Sequence, residues 1–278
     1  MSIRKFIAAA LKEDIGDGDH TSIACIPQKA KGKAQLLVKE PCIVAGVELA
    51  KKILKYTDKK IKINIIKKDG SLVKAGNAVF VVEGNSRNIL KTERLILNCM
   101  QRMSGIATYT FKINELLYGL KTKILDTRKT TPNFRMPEKW AVRIGGGINH
   151  RVGLYDMILI KDNHIDFAGG VEKAITAVNG YLKKNKKNLK IEIEVRNFNE
   201  LNEVLNTGKV DRIMLDNFSV INLKKAIKLI SGRYETEASG GITEKNIRKI
   251  AETGVDFISI GALTYNAKSI DMSLKAIK

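Results

Sequence analysis

The residues best suited to chemistry crowd into one stretch, Leu125 to His164. It reads Asp126-Thr127-Arg128-Lys129-Thr130-Thr131-Pro132, then Gly145-Gly146-Gly147-Ile148-Asn149-His150-Arg151, then Ile160-Lys161-Asp162-Asn163-His164. Arg128 and Arg151 suit carboxylates, because a guanidinium fork donates two parallel charge-assisted hydrogen bonds. Lys129 and Lys161 are point charges that match phosphate oxygens. The glycine triplet lets backbone N–H groups approach an anion. The guanidinium of Arg151 disfavours an imidazolium at His150, which reads as a neutral hydrogen-bonding group near the substrate or as a core histidine satisfied by backbone. His164 stands where it can close a helix start, and Asp162 can pair with Lys161. Together these residues describe a trap for a small, multiply anionic substrate. Zinc has no support, since neither an HExxH nor a CxxC spacing occurs. Glu194 and Asp216 offer hard oxygens for Mg2+ brought in by a phosphorylated substrate. No GxGxxG follows a strand and no Walker A sequence occurs, so dinucleotide and nucleoside triphosphate binding are not expected. The lone Trp140 reads as core.

Elements able to hold these residues follow from the apolar periodicity. Strand-like runs lie at Lys123–Thr127, Met157–Lys161, Ile191–Val195, Arg212–Asp216, Tyr234–Ser239 and Phe257–Gly261, with amphipathic helical stretches between them, such as Asn199–Leu205, Leu223–Ile230 and Thr243–Glu252. Short apolar strands alternating with helices predict a parallel sheet, and this many units predict a β/α barrel. Nearly every run ends in a functional type, and the last four markers, Glu194, Asp216, Ser239 and Gly261, are spaced by 22, 23 and 22 residues. All strand C-termini of such a barrel open onto one face, so these residues would ring one pocket. Ile191-Glu192-Ile193-Glu194 sets two acids on one side of a strand, where an inward charge needs a partner or a ligand. Upstream, Ser2 caps a helix running to about Lys12. Runs at Ala34–Val38, Ile61–Ile66 and Ala78–Val82, with a helix over Val47–Tyr56, make a small α+β module. A long helical pattern from Ser86 to about Leu117, expected to break near Ser104–Gly105, bridges the two parts.

Composition limits the classes of function. The chain has 278 residues, 44% hydrophobic and 28% charged, which is ordinary for a globular protein. A net charge of +20 invites a nucleic-acid reading, but most of the cations are scattered lysines. The densest run, Lys183 to Lys190, lacks the interleaved aromatics a base-stacking surface would use. No apolar run approaches the ~20 residues that cross a bilayer. The N-terminus lacks the features of a secretory leader, and Cys25, Cys42 and Cys99 read as reduced thiols, so a cytoplasmic protein is expected.

The motifs also occur in a recognisable order. DTRKTTP (Asp126–Pro132), GGGINHR (Gly145–Arg151), LIKDNH (Leu159–His164), IEIEV (Ile191–Val195), LDNF (Leu215–Phe218), EASGGI (Glu237–Ile242) and ISIGALT (Ile258–Thr264) run through the chain, preceded by LKEDIGDGDHTS (Leu11–Ser22), TERLILN (Thr92–Asn98) and SGIAT (Ser104–Thr108). This set resembles the quinolinate phosphoribosyltransferases over nearly the whole chain. The resemblance implies an α/β fold: an N-terminal open α/β sandwich over residues 1–110 with the bridging helix, and an incomplete, seven-stranded β/α barrel over 111–278 whose last helix packs back on the first domain. It implies transfer of a phosphoribosyl group from phosphoribosyl pyrophosphate to quinolinate with decarboxylation, giving nicotinate mononucleotide for NAD synthesis. It implies homodimers with shared active sites, open to further assembly, and no nucleic-acid or membrane partner. It carries Arg94 over as a residue reaching the neighbouring subunit's pocket, Arg128, His150, Arg151 and Lys161 as the quinolinate set, and Thr127 as a further substrate-binding residue. Lys129, Glu194 and Asp216 fall around the phosphoribosyl group and Mg2+. Ser239, Gly240, Gly241, Ile260, Gly261 and Ala262 fall around the 5′-phosphate. Lys129, Lys161, Glu194 and Asp216 are the implied catalytic set, with no organic cofactor. The chain departs from the family pattern at Arg196, at Asn133-Phe134 and at Tyr265-Asn266. Two rivals remain: a phosphoribosyltransferase-like relative of molybdate-uptake operons, against which the intact Lys161 segment counts, and a basic RNA-binding barrel, which predicts strongly salt-dependent RNA affinity.

Overall fold

In the computed structural model, which describes residues 2–277, the chain runs α1 (Ile3–Ile15), α2 (His20–Cys25), β1 (Lys31–Val38), β2 (Cys42–Ile43), α3 (Val47–Thr57), β3 (Lys62–Ile65), β4 (Leu72–Val73), β5 (Ala78–Asn85), α4 (Ser86–Leu116), β6 (Lys123–Leu125), α5 (Arg135–Ile144), β7 (Ile158–Ile160), α6 (Asp162–Ala168), α7 (Val171–Lys184), β8 (Ile191–Val195), α8 (Phe198–Thr207), β9 (Arg212–Asp216), α9 (Val220–Ile230), β10 (Glu235–Ser239), α10 (Ile247–Ala251), β11 (Phe257–Ser259), α11 (Ala262–Tyr265) and β12 (Met272–Ile277). The contacts divide it into two compact units. One takes the chain up to Lys112, with Lys129–Gly146 and the segment from Ala262; the other takes Ile113–Arg128 and Gly147–Gly261.

In the first unit Ser2 caps α1 as expected, its side chain accepting from Lys5 N. Four antiparallel strands form a sheet in the order β12-β1-β5-β3, beside a β2-β4 pair. Strand β1 alternates as a half-buried strand should, with Ala34, Leu36 and Val38 inside. The end of the chain corrects the expectation of a final packing helix. Met272–Ile277 is a strand, antiparallel to β1, with Leu274 opposite Leu36 and Ala276 opposite Ala34. Six residues are too few for a stable helix, whereas a free strand edge offers unpaired N–H and C=O groups to extend. Helix α4 also runs unbroken through Ser104 and Gly105. Buried Ser104 accepts from Ala45 N at 2.9 Å and donates to Ala45 O at 3.2 Å, and one turn on Thr108 accepts from Ile43 N at 2.9 Å. A Cβ at position 105 would lie 2.1 Å from the carbonyl oxygen of Lys268. The small residues serve close packing of an intact helix, and do not break it.

The second unit is built on a parallel sheet in the order β6-β11-β10-β9-β8-β7. It has six strands and, in the seventh position, a single parallel bridge between Leu125 and Ile148. Ile148 N donates to Ile124 O at 2.9 Å and Asp126 N to Ile148 O at 3.1 Å. The next amide of the ladder, His150 N, turns instead to the Asp126 carboxylate at 2.8 Å, which also accepts from the Asn149 amide at 2.6 Å. The side chain of Asp126, fully buried, thus stops the seventh strand after one residue. Elsewhere the strands alternate. Ile193, Val195, Ile213, Leu215 and Ile258 are fully buried apolar positions, while Glu192, Glu194, Arg212, Asp216, Glu237 and Ser239 occupy the alternate ones.

Candidate active site

The strand ends of the second unit carry the expected residues: Arg128 beyond β6, Lys161 directly after β7, Glu194 near the end of β8, Asp216 and Ser239 closing β9 and β10, and Gly261 beyond β11. Lys161 Nζ donates to Glu194 Oε2 at 3.2 Å, from a half-exposed side chain to a buried one. Burial pushes the Glu194 carboxyl above the usual range, Lys161 pulls it back, and the charge of Asp216 adds to the rise. Glu194 and Asp216 stand near the ends of adjacent strands, since β8 pairs with β9 with Glu194 opposite Met214 and Val195 opposite Leu215. Asp216 accepts from Asn217 Nδ2 at 2.6 Å, and Asn217 itself is left-handed at φ 56°. Gly240, at φ 87°, packs against that amide so closely that a Cβ would meet Asn217 Oδ1 at 2.2 Å. Gly241 follows at φ 60°, so the chain folds back tightly after β10 with its backbone exposed.

The arginines lie close enough to act on one another. Burial lowers the Arg151 pKa, and the charge of Arg128 lowers it further. Glu192 and Asp156 offset part of this, and an anion bound by both guanidiniums would relieve the rest of their repulsion. The Arg151 side chain also donates weakly to Met157 O, at 3.4 Å.

His150 departs from a simple surface ligand. Its side chain is 6% exposed and both ring nitrogens are engaged within the protein. Nε2 lies 2.8 Å from Glu192 Oε2, and Nδ1 accepts from the Arg151 amide at 2.7 Å. It is buried as a core histidine is, but an acid, not backbone alone, anchors it. His164 does close a helix start, its Nδ1 accepting from Lys161 N at 2.9 Å. Arg196 is consumed by ion pairs to Asp166 at 2.8 Å and to Glu200 at 2.5 Å, which gives this departure from the family pattern a structural role. A cavity of about 360 Å³ opens beside Arg151 and His164, but Leu154, Ile158, Leu159, Ala174 and Val178 make its walls mostly apolar, unlike an anion site.

Below the strand ends lies a buried cluster, of whose acids the sequence pattern singled out Glu192 alone, paired there with Glu194 on one side of a strand. Glu192, Glu237 and His150 bring ligand-capable atoms within 4.8 Å of one another. Arg212 donates to Glu237 at 3.1 Å and to Glu235 at 3.0 Å. Positive charge and N–H donors serve one oxygen of each acid, Oε2, while Oε1 of Glu192 and of Glu237 is buried without a hydrogen-bond partner. Glu194 and Asp216 form a pair, not a cage. That suits Mg2+, which binds through one or two carboxylates while keeping substrate oxygens and water.

Other expected residues belong to the first unit. Arg94 is an exposed residue of α4. Lys129 is exposed, and its carbonyl accepts from Thr264 Oγ1 at 2.8 Å. The loop it begins is held by Glu138 of α5, fully buried, which accepts from Thr131 N at 3.0 Å and from Arg102 Nε at 3.0 Å. Arg102 reaches on to the carbonyls of Thr264 and Ala267. Ala262 opens α11 in the same unit.

A parallel β/α sheet whose strand ends carry paired guanidiniums, lysines and two close carboxylates defines an enzyme class that binds polyanions. The sequence comparisons narrow the class. Residues 19–104 match the model described as quinolinate phosphoribosyl transferase, N-terminal domain, and residues 106–275 match its C-terminal domain. The chain belongs to the quinolinate phosphoribosyltransferase family. It is 45% identical to the chloroplastic nicotinate-nucleotide pyrophosphorylase [carboxylating] of Oryza sativa subsp. japonica, over 98% of this chain and 77% of that one. It is 38% identical to a probable nicotinate-nucleotide pyrophosphorylase [carboxylating] of Bacillus subtilis, over 99% and 93%. The solved nicotinate-nucleotide pyrophosphorylase of Francisella tularensis superposes with a TM-score of 0.90 at 42% identity, covering 99% of this chain and 96% of that one.

Proposed function

We propose that the protein joins quinolinate to the phosphoribosyl group of phosphoribosyl pyrophosphate, releasing pyrophosphate and CO2 and yielding nicotinate mononucleotide for NAD biosynthesis. The observation that carries this reading is the pair Arg128 and Arg151, two guanidiniums close enough to act on one another, with Lys161 at the end of β7 in the same sheet. A pyridine with adjacent carboxylates answers that charge with two forks and a point contact. Thr127 adds a hydroxyl beside Arg128.

The chemistry needs orientation more than acid–base groups. The ring nitrogen donates its lone pair to the anomeric carbon as the bond to pyrophosphate breaks, and the ribose gathers positive charge. Glu194 and Asp216 place negative charge where that cation develops. Mg2+ accompanying the pyrophosphate would be held by the same two carboxylates and supply charge neutralisation to the leaving group. Lys129 and Lys161 face the phosphate and carboxylate oxygens. Ser239, Gly240 and Gly241, with Ile260, Gly261 and Ala262, cradle the 5′-phosphate, a role that the left-handed backbone of Gly240 and Gly241 supports. The product pyridinium then accepts the electron pair of the bond to the 2-carboxylate, CO2 departs, and the ring carbon takes a proton. Holding that carboxylate out of water suffices for this step.

In this reading the working unit is a homodimer, with Arg94 of one subunit closing the pocket of its partner, and the compartment is the cytoplasm. The exposed position of Arg94 and the three unpaired cysteines support these two points. No helix among the described residues is long and apolar enough to cross a membrane.

The test is pyrophosphate release with purified protein and Mg2+. Release is expected only when quinolinate and phosphoribosyl pyrophosphate are both present. Equal turnover of nicotinate would overturn the specificity assignment.

A further inference from the structure

The buried cluster beneath the strand ends has no task in the reaction as just described. We infer that Glu192 and Glu237 form a proton-sharing carboxyl pair that locks the ring of His150 and, through it, positions Arg151 for the substrate. The inference rests on the proposed reaction only in naming what Arg151 grips.

The argument begins with His150. Its Nδ1 accepts a hydrogen bond from the Arg151 amide at 2.7 Å, so that nitrogen carries no proton. A neutral ring then holds its hydrogen on Nε2, which points at Glu192 Oε2 2.8 Å away. The tautomer is therefore set from both sides, as it is where a carboxylate orients a histidine. Two links, ring to amide and acid to ring, tie the backbone of Arg151 to β8.

Glu192 cannot do this alone. Its side chain and that of Glu237 are both fully buried, and Oε1 of each meets no N–H or hydroxyl donor. Each acid's other oxygen is occupied: Glu192 Oε2 accepts from His150, and Glu237 Oε2 accepts from Arg212 at 3.1 Å. The two carboxyls are close: oxygen atoms of Glu192 and Glu237 and a ring nitrogen of His150 all lie within 4.8 Å of one another. Two bare carboxylates so close and so deeply buried would repel in a low dielectric, and one proton held by the pair removes that repulsion. Arg212, with Phe257 stacked 4.0 Å from its guanidinium carbon, bears on Glu237 and Glu235. Arg151 and Ser259 are the other charged or hydroxyl groups that bear on the pair. The pair thus carries a single negative charge. Glu237 is the proton's host, since Glu192 is the acid that must accept from His150.

A single proton makes the pair tolerant of one amide but not of a lost hydrogen-bonding group. Glu192→Met and Glu237→Met keep most of the volume and remove the polar link. We expect each to raise the KM for quinolinate roughly 10- to 100-fold, the cost of a misplaced binding group, with the KM for phosphoribosyl pyrophosphate within about 2-fold of wild type. Glu192→Gln or Glu237→Gln restores the chain of donor and acceptor and should recover most of the loss. Equal quinolinate KM in Glu192→Met and wild type, or a Gln variant as damaged as its Met counterpart, overturns the inference. A second measurement needs no substrate and does not depend on whether the Met variants fold. In 15N-histidine NMR of the wild-type protein near neutral pH, His150 should show a bare Nδ1 and a protonated Nε2. An imidazolium, or the opposite tautomer, overturns the inference even if the reaction is as proposed. The expected tautomer in a protein that ignores quinolinate would overturn the reaction and leave the network standing.

Discussion

Glu237 shows at the level of one residue how a barrel interior stores a pH response. Burial first, and then the neighbouring Glu192, push its carboxyl up to about 8. A carboxyl whose pKa is higher folded than unfolded binds its proton more tightly in the folded state. Its stabilising share is complete below the ordinary glutamate range near 4.5 and is lost as pH rises through about 8. Thermal unfolding of the wild type should therefore drop in midpoint between about pH 4.5 and 8, and Glu237→Gln, which cannot ionise, should flatten that slope. The same slope in both proteins would show that the pair does not titrate there. These acids also mark the limit of reading residues in a line. Glu192 and Glu194 announced themselves by alternating with isoleucines in β8, and Lys161 and Arg128 by standing at strand ends. Nothing local revealed that His150 would meet Glu192, or that Arg212 would reach Glu237, because those meetings depend on strand register.

Elements were read well where one physical cause dominated. β8 and β9 occupy Ile191–Val195 and Arg212–Asp216 as expected, since strands buried on both faces must be short apolar runs that end where polar loops begin. Reading faltered where tertiary contact overrode local preference. Ser104–Gly105 has the composition of a helix break, yet α4 continues because the backbone of Lys268 needs the space a side chain would fill. The seventh strand shrank to a bridge because Asp126 took the amide of His150 for its own carboxylate. Gly105 gives a decisive test of the first case. By helix propensity alone, Gly105→Ala should stabilise by about 1 kcal/mol. With a Cβ placed 2.1 Å from a carbonyl oxygen, the overlap should reverse the sign and cost about 1–3 kcal/mol. Calorimetry should find a lower melting temperature; a higher one would mean that the segment after α11 yields freely.

At the scale of the molecule, +20 net charge is best understood through the substrates, both of which are anions. A cationic surface raises their local concentration and the rate of encounter, so added salt should weaken quinolinate binding without altering the chemistry it reaches. Charge does not test the proposed dimer, whereas Arg94 and Lys161, which belong to different compact units, do. Suppose each pocket draws Lys161 from one subunit and Arg94 from its partner. Arg94→Ala and Lys161→Ala are then each inactive alone. After random exchange about half the dimers are mixed, and each mixed dimer has one pocket bearing both defects and one bearing neither. Activity should return to about a quarter of the wild-type level. Were both residues supplied by one subunit, every pocket in a mixed dimer would keep one defect and nothing would return. Activity assayed after mixing, with exchange verified by mass-tagged subunits, separates the two arrangements, and no recovery would remove Arg94 from its partner's pocket.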